Sequence, residues 1–261
     1  MIDSTDPRLA PYRLVGDPQA LEREGLFVAE GRLVVERLLE DGRFAPHSVL
    51  VTPPAAAAMA AIFGLRPEIP VFVTSPETLR EVTGFNFHRG CLALARRPTR
   101  QIALSDLAGA SRLLAIESVS DPDNVGGLFR TAFALGVDAV LLDAASGDPL
   151  YRKAIRTSMA ATLRVPYACV EAWLGAFDTL RAAGFRVAAL TPHPQATPLA
   201  EYAARAPDRL VLVVGSEGSG MRPESLARAD VRLRIPIDPR ADSLNVVTAA
   251  AIALYALAPR V

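Results

Sequence analysis

Three short segments in the C-terminal half carry polar side chains that are able to hold a ligand and act on it: residues 124–132, 215–220 and 235–245. In the last of these, Pro236 and Pro239 stiffen a loop between a predicted buried strand and an alanine-rich helix. The loop delivers Ser243, the expected N-cap of a helix over residues 243–257, and Asn245 to the positive end of the helix dipole. A loop held in this way predicts a ligand site.

The other two segments add further polar groups. The run over residues 215–220 follows a predicted strand, and its three glycines let backbone groups approach a planar ligand closely. Glu217 lies within this run although a turn does not require it. Asn124 is the expected N-cap of a helix over residues 124–135, on which Arg130 has apolar neighbours. Such an arginine calls for an anionic partner, and an intramolecular salt bridge is the structural alternative to a ligand.

In this order and spacing, the three segments resemble the signature motifs of the SpoU (TrmH) family of RNA ribose methyltransferases, in the SPOUT superfamily. The resemblance extends from about residue 113 to the C-terminus and is weaker in the N-terminal part. It implies transfer of a methyl group from S-adenosylmethionine to a ribose 2′-hydroxyl. The catalytic residues that it implies are Asn124, Arg130, Glu217, Ser243 and Asn245, and the implied cofactor contacts are Leu190, Thr191, Gly215, Glu217, Gly220, Ile235, Ile237 and Leu244.

The implied chemistry also defines the role of the arginine. A ribose hydroxyl is a poor nucleophile until its proton is accepted or its developing negative charge is stabilised. Arg130 is expected to position the ribose and stabilise charge, because a guanidinium does not normally lose its proton in proteins; a base role assisted by RNA phosphate is the alternative. Two positions depart from the family pattern. Ser216 stands where asparagine is common, and Ala160 stands where glycine is commoner.

The elements that must position these groups alternate along the C-terminal part. Near-continuous apolar runs between helices predict an α/β fold with a parallel sheet covered on both faces. The expected strands lie at residues 113–116, 139–142, 167–170, 187–190, 210–214 and 231–235, and the further helices at 151–162, 173–183 and 223–229. Pattern alone also fits an ordinary doubly wound sheet, whereas the resemblance implies a deep trefoil knot that threads about residues 238–257 through an earlier loop.

The N-terminal part predicts a separate, small α/β domain. Its expected strands lie at residues 26–31, 48–51, 71–74 and 91–95, and its helices at 32–40, 55–63 and 76–82. We therefore expect three parts: an RNA substrate-binding domain over residues 1–98, a linker over residues 99–110 and a knotted methyltransferase domain over residues 111–261.

One segment of the small domain is a candidate RNA contact. Phe87, His88 and Arg89 interleave an aromatic ring with basic groups, and RNA bases stack on such rings. The structural alternative is that Phe87 caps the core of the small domain. Arg156, in the same segment as Ala160, is a further candidate RNA contact.

Composition limits the remaining functions. The formal net charge is zero at pH 7, which argues against indiscriminate polyanion binding but permits a local basic face. The histidines are scattered, so no metal site is expected. Cys91 and Cys169 lie in apolar, strand-like contexts and are expected to be buried free thiols. No apolar run approaches the roughly twenty residues of a membrane span, so we expect no membrane partner and a cytoplasmic location.

The expected partners are structured RNA and a second copy of the chain, which family members bind through the knotted domain. Ribosomal RNA is favoured over transfer RNA because an added N-terminal module suits a large folded substrate. Methylation of transfer RNA stays open as an alternative, as does a non-catalytic RNA-binding or ribosome-assembly factor on the same fold. A pure binder has no need for all five catalytic candidates.

Overall fold

The computed structural model describes residues 1–84, 90–98, 102–107 and 109–258. The chain divides into two compact units, Met1–Thr99 with Leu150–Arg164, and Arg100–Pro149 with Val165–Val261. The placement of Leu150–Arg164 differs from the predicted division, which kept residues 111–261 together. Within the described ranges, no helix has both the length and the apolar character needed to cross a membrane.

The first unit is built on a four-stranded sheet. Its strands, numbered along the chain, are β1 (Leu26–Glu30), β2 (Pro46–Val51), β3 (Val71–Val73) and β4 (Cys91–Arg96). Their spatial order is β1-β4-β2-β3, with β4 antiparallel to β1 and β2, and β2 parallel to β3. The helices of this unit are α1 (Pro18–Arg23), α2 (Arg32–Asp41), α3 (Pro53–Ala58), α4 (Ala60–Leu65), α5 (Pro76–Thr83), α7 (Arg152–Thr157) and α8 (Ala161–Arg164), and a 3-10 helix covers Pro7–Gly16.

The helix predicted over residues 151–162 is in fact two helices, α7 and α8, with a turn between them. Met159 and Ala160 adopt positive φ angles of 51° and 67° in that turn. Alanine therefore occupies the left-handed conformation that glycine adopts most easily, so the departure at Ala160 keeps a glycine-like backbone. The helix predicted over residues 55–63 is likewise divided, into α3 and α4, at Met59.

The second unit is built on a seven-stranded sheet. Its strands are β5 (Arg112–Glu117), β6 (Ala139–Asp143), β7 (Tyr167–Val170), β8 (Arg186–Leu190), β9 (Thr197–Pro198), β10 (Leu210–Gly215) and β11 (Val231–Arg234). The spatial order is β7-β6-β5-β10-β8-β11-β9, and every neighbouring pair is parallel. The prediction of an α/β fold with a parallel sheet is confirmed, and β9 is an additional short strand.

Helices cover this sheet. They are α6 (Pro122–Ala134), α9 (Trp173–Ala182), α10 (Leu199–Ala203), α11 (Pro223–Arg228) and α12 (Val246–Ala256). Trp173, Phe177 and Leu180 of α9 are buried in the core, as their spacing predicts. Helices α6 and α12 pack closely at Gly127, where a Cβ atom would lie 2.7 Å from Cγ2 of Val247.

A buried arginine holds the C-terminal ends of those two helices. Arg112 donates from Nη2 to the carbonyl oxygen of Leu254 at 2.7 Å and from Nη1 to that of Leu135 at 3.4 Å. A cation is favourable there because the carbonyl ends of helices carry partial negative charge. Burial lowers the pKa of Arg112, and the nearby charge of Asp138 acts in the opposite direction.

The two cysteines lie in different environments. Cys91 on β4 is fully buried, as predicted. The prediction for Cys169 was wrong, because its side chain is exposed on β7. β7 is an edge strand of the seven-stranded sheet, so it has a neighbouring strand on one side only.

Candidate active site

A cavity of about 330 Å³ lies where β8, β10 and β11 end, in the second unit. The carboxyl ends of parallel strands are the usual place for ligands in an open α/β sheet. The structure brings together at this cavity all eight residues predicted as cofactor contacts: Leu190, Thr191, Gly215, Glu217, Gly220, Ile235, Ile237 and Leu244. The catalytic candidate Ser243 lines it as well.

The glycine-rich loop folds back on itself at the cavity. A Cβ atom on Gly215 would lie 2.4 Å from the backbone nitrogen of Met221, so only glycine fits there without a backbone shift. Ser216 and Gly220 form an isolated antiparallel bridge. The hydroxyl of Ser216, which replaces the common asparagine, lies 2.7 Å from the hydroxyl of Ser219. It therefore contributes to the shape of the loop itself.

Three of the catalytic candidates meet beside this loop. Asn245 donates from Nδ2 to Oδ1 of Asn124 at 3.1 Å and also to Oε1 of Glu217. The same carboxylate oxygen lies 3.4 Å from the backbone nitrogen of Val246, at the start of α12. One amide group thus connects the segments that carry the three sequence motifs.

The predicted N-caps of the two helices were wrong. Helix α12 begins at Val246, and Asn245 is its N-cap, accepting from the backbone nitrogen of Val247 at 2.9 Å. Ser243 lies in the preceding loop. Helix α6 begins at Pro122, and its N-cap is Asp121. Asn124 therefore lies within the first turn of α6, which leaves its side chain available to Asn245 rather than to its own backbone.

Arg130 lies six residues after Asn124, about 9 Å farther along the axis of α6. Its side chain is exposed, and it is not among the residues that line the cavity. Within the described ranges, no carboxylate forms an ion pair with its guanidinium, so the structure offers no support for the alternative of an intramolecular salt bridge.

The charged side chains that line the cavity are both carboxylates, Glu217 and Asp242. Nearby, Arg240 forms a two-pronged contact with Asp238, with both N···O distances at 2.9 Å. Side-chain hydrogen bonds from Arg240 lower the pKa of Asp238. The negative lining favours a cationic ligand, since opposite charges attract most strongly where water is partly excluded.

A buried carboxylate behind the cavity was not predicted. Glu117, the last residue of β5, is fully buried. Its Oε1 accepts from the backbone nitrogen of Arg222 at 2.5 Å, and its Oε2 accepts from Nε1 of Trp173 at 2.5 Å and from the hydroxyl of Ser225. A glutamate at the end of an otherwise apolar strand was the available signal, because buried charge requires partners.

A second buried carboxylate lies at the end of the neighbouring strand β6. Asp143 accepts from the backbone nitrogen of Ser118 at 2.9 Å and from the hydroxyl of Ser146 at 2.7 Å. The guanidinium of Arg222 reaches both acids, with Nε 3.3 Å from Glu117 and Nη2 3.2 Å from Asp143. Glu117, Asp143 and Arg222 form a charge network at the edge of the sheet that carries the cavity.

One of the predicted RNA contacts, Arg156, belongs to the described part of the first unit. Phe87, His88 and Arg89 lie outside the described residues. Arg156 is exposed on α7, with Nη1 3.9 Å from Oε2 of Glu30. Their contact with RNA stays a prediction.

Comparison with known proteins gives a consistent result. Residues 111–255 match the model of the SpoU rRNA Methylase family. The chain is 40% identical over 259 residues to an uncharacterised tRNA/rRNA methyltransferase of Mycobacterium tuberculosis, covering 97% of this chain and 89% of that protein. It is 36% identical over 152 residues to the 23S rRNA (guanosine(2553)-2′-O)-methyltransferase of Bacillus subtilis, covering 58% of this chain and 59% of that protein.

The fold also matches a solved structure over nearly its whole length. The AdoMet-bound rRNA methyltransferase of Sinorhizobium meliloti superposes with a TM-score of 0.81 at 24% identity. The match covers 97% of this chain and 96% of that one.

Proposed function

The chain belongs to the SpoU rRNA methylase family, and we propose that it transfers a methyl group from S-adenosylmethionine to a ribose 2′-hydroxyl of ribosomal RNA. The observation that carries this proposal is the convergence of the three motif segments at one cavity, where Asn245 bonds to both Asn124 and Glu217. The Bacillus subtilis relative, named for 2′-O-methylation of 23S rRNA, supports the choice of reaction and of RNA.

The residues of the cavity fit the proposed cofactor. Its volume lies within the range of small-molecule pockets, and Gly215 permits close approach of the backbone. The apolar side chains of Leu190, Ile235 and Leu244 suit a flat adenine ring. The carboxylates of Glu217 and Asp242 suit the positive charges of a sulfonium and an ammonium group. The AdoMet bound to the Sinorhizobium meliloti structure supports the same cofactor.

The chain's own residues supply orientation and electrostatics for the reaction. S-adenosylmethionine supplies an electrophilic methyl group on a positive sulfur. Arg130 stabilises the negative charge that develops on the ribose oxygen. Glu217 and Asn245 fix the N-terminus of α12 and the loop ahead of it, so that Ser243 faces the cofactor side of the cavity. Rate enhancement by this arrangement depends on groups that are held in place before the substrate binds.

We further propose the knotted topology and a homodimer formed through the second unit. Helix α12 contacts α6 and β10, and Arg112 at the start of β5 binds its C-terminal end, which fits a terminal segment tucked into the earlier chain. Large apolar side chains remain exposed on these helices: Phe133 on α6, and Ile252 and Tyr255 on α12. A second copy would cover them.

The N-terminal region is proposed to bind the RNA substrate. The division into residues 1–98, a linker at 99–110 and a methyltransferase domain at 111–261 belongs to this proposal, as does action in the cytoplasm, where ribosomal RNA is accessible. The basic side chain of Arg156 is exposed in the first unit and suits a phosphate. The proposed methyl transfer does not require a metal.

Mapping of 2′-O-methyl groups in RNA tests the function directly. Ribosomal and transfer RNA from cells with and without the gene are compared, and a complemented strain serves as control. We expect one ribose methyl group to be absent from ribosomal RNA without the gene. Absence from transfer RNA instead would establish the alternative substrate. Unchanged RNA, together with no binding of S-adenosylmethionine by calorimetry, would favour a non-catalytic assembly factor.

A further inference from the structure

We propose that Glu117 is a positioning residue for the cofactor: it holds the far end of the loop over residues 215–222, hereafter the cofactor loop. This inference rests on the proposed function, because the ligand concerned is S-adenosylmethionine. Glu117 does not line the cavity, so any effect on the cofactor acts through the loop.

Glu117 lies beside both ends of the cofactor loop. In the sheet register, Glu117 on β5 is paired with Gly215 on β10, where the loop begins. Its carboxylate then accepts from the backbone nitrogen of Arg222 at 2.5 Å, where the loop ends. Glu117 therefore links the two ends of the cofactor loop. Its buried side chain fixes the distance between them.

The cavity keeps its shape only if the two ends of the cofactor loop keep their positions relative to each other. The site of a Cβ atom on Gly215 lies only 2.4 Å from the backbone nitrogen of Met221, and Met221 lines the cavity together with Gly215. Between them, Glu217 reaches out to the N-terminus of α12. A shift of the loop's far end would therefore move both a wall of the cavity and the carboxylate that orients Asn245.

The hydrogen-bonding pattern requires a carboxylate at this position. Three hydrogen-bond donors converge on its two oxygens, the backbone nitrogen of Arg222, the indole of Trp173 and the hydroxyl of Ser225, and the guanidinium of Arg222 forms an ion pair with it. An amide would turn one acceptor oxygen into a donor that faces other donors, and it would remove one of the two charges that hold the Arg222 guanidinium. Glutamine thus has nearly the same shape as glutamate, but it lacks the negative charge and the second acceptor oxygen that this site requires.

The test measures cofactor affinity apart from turnover. In Glu117→Gln we expect the Kd for S-adenosylmethionine, measured by calorimetry, to rise by at least about tenfold, as expected when a charge-assisted hydrogen bond to the loop is lost. The rate of methyl transfer at saturating cofactor should fall by a smaller factor than that by which the Kd rises, because Glu117 touches no reacting atom. Glu224→Gln, an exposed acid on α11, is the charge-matched control and should leave both values unchanged.

A second comparison separates loop positioning from general stability. Trp173→Phe removes one buried hydrogen bond to the same carboxylate but leaves the loop contacts of Arg222 intact, so its Kd should stay within about threefold of the wild type. If Glu117→Gln does not fold, Arg222→Gln removes the side-chain ion pair to Glu117 from the exposed side and should raise the Kd by about threefold or more. Trp173 is the only tryptophan, so its emission reports independently whether the folded Glu117→Gln and Arg222→Gln variants keep this environment, whereas Trp173→Phe is checked by circular dichroism.

The outcomes are distinct. A wild type that does not bind S-adenosylmethionine overturns the proposed function and this inference together. A wild type that binds, with Glu117→Gln folded and binding equally well, overturns only the positioning role. An equal loss of affinity in Trp173→Phe would also overturn it, because the network would then act through core stability alone.

Discussion

At the scale of single residues, Arg130 differs from the other catalytic candidates because, within the described residues, it neither lines the cavity nor forms a hydrogen bond with another candidate. Its exposed guanidinium leaves it available to RNA. We expect Arg130→Ala to bind S-adenosylmethionine with unchanged affinity by calorimetry. The single-turnover rate of methyl transfer should fall by about a hundredfold or more, because the developing charge on the ribose oxygen loses its stabilising group.

The matched control for that variant is Arg205→Ala. Arg205 is also exposed and also belongs to the second unit, yet it follows α10 and lies outside the cavity lining. It should transfer methyl groups at the wild-type rate. Normal single-turnover transfer by Arg130→Ala would contradict the charge-stabilising role. No cationic side chain would then remain among the catalytic candidates.

The two cysteines offer a residue-scale test of the fold. Burial raises the pKa of the Cys91 thiol to about 12, so it stays protonated and unreactive at pH 8, whereas Cys169 is exposed. Iodoacetamide should therefore modify one thiol in the native protein and two after denaturation, as counted by mass spectrometry. The Cys169→Ser variant should show no native labelling, and rapid labelling of native Cys91 would contradict its burial.

Sequence reasoning reached the polar residues of the motifs but not the groups that hold them. Ile235, Ile237 and Leu244 were placed beside the glycine-rich loop because the segment order resembles one family. Glu117 was missed because its partners, Trp173 and Arg222, are distant in sequence, and a single sequence offers no measure of which distant residues meet. The capping error at Asn124 was avoidable, since Asp121 followed by Pro122 is itself a helix start signal.

At the scale of elements, the close packing of α6 on α12 positions the first motif against the third. Gly127→Ala should lower the free energy of unfolding of the second unit by about 1–3 kcal/mol, because the added methyl would lie 2.7 Å from Val247. Val247→Ala in the same chain should restore part of that loss, giving a coupling of at least about 0.5 kcal/mol in denaturant titrations.

A control and a contrary result are available for this pair. Gly175→Ala on α9 places its methyl 3.8 Å from the nearest atom and should be neutral or stabilising, as glycine disfavours a helix interior. If the effects of Gly127→Ala and Val247→Ala on the free energy of unfolding were strictly additive, the two helices would not be in steric contact at this point.

The strands were predictable because burial on both faces makes parallel strands continuously apolar, as in β5, β6 and β10. The break between α7 and α8 could not be predicted, since methionine and alanine rarely adopt the left-handed conformation that Met159 and Ala160 have there. Short elements such as β9 and α10 leave too few residues for any period to show.

At the scale of the whole molecule, the exposed apolar residues of α6 and α12 bear on assembly. Tyr255 is 76% exposed on α12. We expect the wild type to elute with the mass of a dimer in light-scattering chromatography, and Tyr255→Glu with the mass of a monomer, because a charge would be buried at the interface. Leu65→Glu, at a 75% exposed leucine of the first unit, is the control and should not change the mass. A monomeric wild type would contradict the proposed homodimer.

The parallel sheet could be predicted from the alternation of elements, but the whole-chain arrangement could not. No local pattern in Leu150–Arg164 indicates that it groups with the N-terminal unit, because such a grouping depends on contacts between distant segments. The proposed knot is similarly invisible to periodicity, which reports element type and burial but not the path of the chain.

The cavity is proposed to hold a methyl donor beside an RNA ribose. The most direct measurement is transfer of a labelled methyl group from S-adenosylmethionine to unmethylated ribosomal RNA by the purified protein, followed by nuclease digestion and mass analysis of the nucleosides. We predict label in a single 2′-O-methylated nucleoside, and labelling slower by about a hundredfold or more with Arg130→Ala. Label on a base, or no transfer to ribosomal or transfer RNA, would contradict the account.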